Sequence, residues 1–110
     1  MDIETRAGRT RADFRVPLVP AEVLERLRAV GDGRGRFRLL DADEAHATLK
    51  ARLGRGMRGG RIALRFVQLD EHDTMVISEW TPRLRRTASA REQGERDLET
   101  IAGLLGSVEP

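Results

Sequence analysis

The stretch "RIALRFVQLDEHDTMVISEW", Arg61 to Trp80, restricts the fold more than any other part of the chain. Ile62, Leu64 and Phe66 alternate with polar or small residues, "DEHD" interrupts them, and Met75 and Ile77 alternate again beyond the break. A period of two on either side of a short polar turn is the pattern of two antiparallel strands. The same plan occurs just upstream, where Phe37 and Leu39 precede "DADEA" and Ala47, Leu49, Ala51 and Leu53 follow it. Aspartates favour such reversals because their carboxylates bond the backbone a residue or two on. The spacing therefore predicts a four-strand antiparallel meander.

Helical spacing brackets this meander. In "PAEVLERLRAV" the apolar residues Val23, Leu24, Leu27 and Val30 share one helical face, and Pro20 suits the first turn, where its missing N–H costs nothing. In "SAREQGERDLETIAGLLGSV" a second stripe runs through Leu98, Ile101, Ala102 and Leu105, with Ser89 and Glu92 spaced as a capping box and Arg91 and Glu95 as an i,i+4 ion pair. Before the first helix, "TRADFRVPLV" places Phe14, Val16 and Leu18 on one face of a strand. The expected architecture is α+β: strand, helix, four-strand meander and a long C-terminal helix packed on the sheet.

With 110 residues the chain has the size of one domain. Residues 10–110 are expected to form it, with the polar segment 1–9 mobile. There is no cysteine, which removes disulfides and thiolate chemistry. Apolar runs are too short for a membrane span or signal peptide, so a cytoplasmic protein is expected. The net charge is only +2, but Lys50 is the sole lysine and the remaining cations are arginines.

Those arginines gather in "ARLGRGMRGGRIALR", which also holds a G-x-G-x-x-G at Gly54, Gly56 and Gly59. A dinucleotide fingerprint requires a helix directly after the glycines, and here a strand follows. The glycines are read instead as supplying positive dihedral angles in a hairpin loop. In a meander this loop shares one end of the sheet with the approach to the first meander strand and the exit from the last. Arg34 and Arg36, Arg55, Arg58 and Arg61, and Arg83, Arg85 and Arg86 would converge there as an anion-attracting pole. Nucleic acid or another polyanion is accordingly an alternative partner, although no aromatic lies in the loop to stack on bases.

His46 and His72 fall in or beside the acidic turns, where Asp41, Asp43, Asp70 and Asp73 also lie. Acidic turn residues ordinarily make the turn and face water, and neither segment has EF-hand or H-E-x-x-H spacing. No catalytic residue, metal site or cofactor is assigned.

The order of elements resembles an abbreviated helix-grip domain, as in the START and polyketide-cyclase-like (SRPBCC) superfamily and the related TATA-binding-protein-like fold. The resemblance rests on "FRVPLVPAEVLERL" and "ISEWTPRLRRTASAREQGERDLETIAGLL", a strand passing through proline into each helix. It implies a curved sheet gripping the last helix over a space that larger relatives use for apolar ligands. The candidate walls are Phe37, Leu39, Leu64, Phe66, Ile77 and Trp80 from the sheet, with Leu98, Ile101 and Leu105 from the helix. The expected function is a non-catalytic module binding a small apolar ligand or a protein partner, with a homodimer open to it through a free sheet edge.

Overall fold

A computed structural model describes residues 1–31, 35–54, 59–83 and 88–108. Six strands and two helices follow in the order β1 (Ile3–Arg6), β2 (Arg9–Val16), α1 (Pro20–Val30), β3 (Phe37–Ala42), β4 (His46–Ala51), β5 (Gly60–Gln68), β6 (Thr74–Pro82) and α2 (Ala88–Leu104). The strands form one sheet of order β1-β2-β6-β5-β4-β3 with every neighbour antiparallel. The meander is present as expected, and β2 joins it beside β6, from Thr10 opposite Trp80 to Val16 opposite Thr74.

Within the N-terminal segment, Ile3–Arg6 pairs with β2 as an edge strand. Ala7 and Gly8 make the turn with φ of 53° and 79°. Two successive positive φ values close a hairpin whose twist matches its strands. Ile3 also packs against the core.

Both helices cover the same face of the sheet. α2 lies over β2 and β6, and α1 lies over β3 and β5. Beneath them the inward residues of the strands, including Phe14, Leu49, Ile62, Leu64 and Val76, join Val23 and Leu27 of α1, Leu98 and Ile101 of α2, and Leu105 just past its end in one buried cluster. Each such aliphatic side chain removed from water contributes about 1.5–3 kcal/mol, which is what fixes the register of the strands.

Strand β6 corrects the sequence reading. Its buried residues are Thr74, Val76, Ser78 and Trp80, whereas Met75 and Ile77 occupy the opposite face. The two hydroxyl residues disguise the inward face. Thr74 donates its hydroxyl to the Leu18 carbonyl and Ser78 donates to that of Ala12, so both are buried without an unsatisfied group. Among the described residues no helix is long and apolar enough to cross a membrane.

Candidate functional site

Of the nine residues expected to line a pocket, Phe37, Leu64, Phe66, Trp80, Leu98, Ile101 and Leu105 are buried in the common core. Leu39 is half-buried against it. Ile77 is not a wall: it lies on the outer face, opposite Asp13 on β2 and Arg65 on β5. It and Trp80 have opposite strand parity, so one pocket cannot contain both.

The buried cluster holds a polar centre that sequence reasoning missed. Asp97, 3% exposed, projects from α2 towards the sheet. Its Oδ1 accepts hydrogen bonds from Arg36 Nε at 3.0 Å and Gln93 Nε2 at 3.0 Å. Its Oδ2 accepts from Arg36 Nη2 at 2.8 Å and Trp80 Nε1 at 3.0 Å. The Arg36 contact is a two-pronged fork between planar groups, the stronger form of ion pair. Arg36 Nη1 reaches on to the Arg52 carbonyl, and the Arg36 carbonyl accepts from the Arg52 N–H. One carboxylate thereby joins α2 to β6, to the start of β3 and to the end of β4.

Four donors fill the acceptor sites that a carboxylate offers. Asp97 therefore has no lone pair directed at a substrate, and its place is structural. The signal for it was present in the sequence as Gln93, Asp97, Ile101 and Leu105, four residues apart each time on one helical row. A carboxylate in line with two core residues needs buried donors, and the indole N–H of a buried tryptophan needs an acceptor.

The arginine pole resolves only in part. Arg36 faces inward to Asp97, which corrects its assignment as a surface anion-binding residue; burial of the pair outweighs exposure to solvent anions. Arg61 and Arg83 are exposed. Arg34, Arg55, Arg58, Arg85 and Arg86 lie outside the described residues, as do Gly56 and the side chain of Ser89 in the expected capping box. The Arg91–Glu95 pair forms at 3.1 Å.

The loop between Gly54 and Gly59 lies outside the described residues; the positive φ values recorded for described glycines are at Gly8 and Gly106. Steric room is what the end of this stretch supplies. A Cβ at Gly60 would lie 2.5 Å from Nε1 and Cε2 of Trp80, so the indole packs directly on the β5 backbone. A strand then follows, in place of the helix that a nucleotide site would need.

The acidic turns are built by their own aspartates. Asp43 accepts hydrogen bonds from the N–H groups of Ala45 at 2.7 Å and His46 at 2.9 Å, and it contacts His46 Nδ1. Asp70 does the same for the N–H groups of His72 and Asp73. The Ala45 and His46 N–H groups lower the Asp43 pKa, and the His72 N–H chiefly lowers that of Asp70. Among the described residues no three acidic or histidine side chains are placed to hold a metal ion.

A surface depression opens where α1 begins. Val19, Pro20 and Ala21 form one wall, Glu44 and Ala45 of the β3–β4 turn another, and Phe66 and Gln68 of β5 the third, around about 380 Å³. Phe66 is the one expected wall residue that borders it.

No family model matches the sequence, and no curated protein does. Among solved structures, the crystal structure of CalU16 from Micromonospora echinospora is similar with a TM-score of 0.57 at 11% identity, over 94% of this chain and 79% of that one. A likeness at that identity concerns the fold alone. The fold is helix-grip-like: a six-stranded antiparallel sheet against a long C-terminal helix.

Proposed function

We propose that this chain is a non-catalytic binding module, an abbreviated helix-grip domain of the SRPBCC kind, which takes a small, largely apolar ligand at the mouth of the grip instead of inside it. The depression at the start of α1 carries this reading. Val19, Pro20, Ala21, Ala45 and Phe66 give this shallow depression its apolar part, while polar groups, those of Glu44 and Gln68 among them, make up slightly more of its open surface and can orient a ligand. Its volume of about 380 Å³ falls in the range of small-molecule sites. The saturated state of Asp97 supports a binding role over a catalytic one, since a general acid or base must reach the atom it protonates.

A fluorescence titration with the neutral probe N-phenyl-1-naphthylamine tests the site. Saturable one-to-one binding is expected, with affinity falling by about tenfold in Ala21→Trp, whose indole would occupy the depression. Ala21 is exposed, so the melting temperature should not change. Absence of saturable binding to the parent protein, or equal affinity in the variant, would overturn the proposal.

A further inference from the structure

The outer face of the sheet, opposite the helices, divides into two electrostatic halves. On β1, β2 and β6 three cations sit beside acids, Arg6 with Glu4 at 3.4 Å, Arg9 with Glu79 at 3.5 Å and Arg11 with Asp13 at 3.5 Å, while Arg15 at the end of β2 lies opposite Met75. On β3, β4 and β5 the one outward acid, Asp41 opposite Thr48, pairs with none of the described cations. Arg38 lies opposite Lys50, and Lys50 opposite Arg61, so three cations form one row across three strands. Arg65 stands on the same face further along β5. Among the described residues none of these four makes an ion pair.

Like charges placed directly opposite on neighbouring strands repel, so the row weakens the sheet that carries it. An acid on β4 or β5 would have relieved this, as acids do on the other half. The arrangement is complementary to an anionic partner from outside the chain. Strands about 4.8 Å apart give the row a length of roughly 10 Å, about the axial rise of three nucleotides on one strand of a duplex.

We propose that this row binds the phosphate backbone of a double-stranded nucleic acid without reading its sequence. The observations favour a duplex over a single strand because the chain's aromatics, Phe14, Phe37, Phe66 and Trp80, are all buried on the inner face. Unstacked bases therefore have no ring to rest on. Thr48 and Ala63, paired beside the row, form a low floor next to the cations, flanked by Asp41 on β3 and by Glu79 on β6, the latter engaged by Arg9. The acidic turns at Asp43 and Asp70 stand at the far end of these strands and would repel phosphate there, which orients the contact. This site is separate from the depression at α1 and does not depend on a ligand there.

Fluorescence anisotropy of a labelled short DNA duplex across a salt series tests the proposal. Two triple variants remove the same charge: Arg38→Gln with Lys50→Gln and Arg61→Gln, and Arg6→Gln with Arg9→Gln and Arg11→Gln. The first should flatten the slope of log K against log salt by about 2.7, or 0.9 per lost phosphate contact, and the second should leave it nearly unchanged. Circular dichroism and melting identify whether each variant is folded, and the first should melt no lower than the parent because repulsion is relieved. Failure of the parent to bind duplex at low salt, or equal flattening by both triples, overturns the proposal. So does binding of inorganic polyphosphate or single-stranded DNA in preference to duplex.

Discussion

Trp80 is held by the missing side chains of its neighbours as much as by its hydrogen bond to Asp97. A Cβ at Gly60 would meet its ring at 2.5 Å, and one at Gly94 on α2 would meet Trp80 Cε3 at 2.8 Å and Thr10 Oγ1 at 2.6 Å. Gly94 is thus where the helix touches the sheet, and Gly94→Ala is expected to cost about 1–3 kcal/mol, because the added methyl must push the helix away. Gly103, in the last turn of the same helix, would meet nothing within 4 Å. Gly103→Ala should stabilise by roughly 0.5–1 kcal/mol through helix propensity. Urea midpoints that moved in the same direction for both variants would contradict this account of the contact. Asp97 acts through partners, so its test is a cycle. Asp97→Ala leaves a guanidinium that is 14% exposed without its counter-ion, at an expected cost of about 3–5 kcal/mol. Arg36→Met combined with Asp97→Ala should destabilise less than the two single changes summed, by about 0.5–3 kcal/mol, and strict additivity would show that the two groups do not interact.

At the scale of elements, the N-terminal hairpin is the least conventional part of the fold. Its turn asks Ala7 for a φ of 53°, where a Cβ is unfavourable and asparagine or glycine is the usual occupant. Ala7→Asn should stabilise the domain by about 1 kcal/mol in denaturant unfolding. No gain would mean that β1 does not contribute to the folded state in solution. This turn also explains what the sequence concealed. Ala-Gly lacks the usual turn signature, and "IETR" offers four residues of which two are charged, so neither turn nor strand stood out from a polar tail. The meander and both helices were legible because Ile62, Leu64, Phe66, Leu98, Ile101 and Leu105 each fall on one face at the period of their element. The inward face of β6 was not, because Met75, Val76 and Ile77 are consecutive apolar residues and the buried hydroxyls of Thr74 and Ser78 look like solvent-facing ones. The Asp97 centre depends on partners from three other parts of the chain, which no local pattern brings together. Phe66 alone connects the expected site to the one proposed.

For the molecule as a whole, the question is whether the grip encloses space or fills it. Larger relatives of the resembled fold hold apolar ligands between sheet and last helix, and the same position here is taken by Leu98, Ile101 and Leu105, each 0% exposed, facing sheet residues that are equally buried. A chain of 110 residues has little core to spare, and an empty chamber would cost it contacts that it cannot replace elsewhere. Under the proposed binding role, a filled interior would leave the ligand the depression at the start of α1. Leu98→Ala tests this directly. Removing the side chain should cost about 2.7–5 kcal/mol and leave an apolar void. Xenon added to labelled protein should then shift methyl signals around position 98 in the variant and leave them unmoved in the parent. Shifts of comparable size in the parent would mean that the interior is already hollow, and would place the ligand beneath α2, between Trp80 and Ile101, rather than at the mouth.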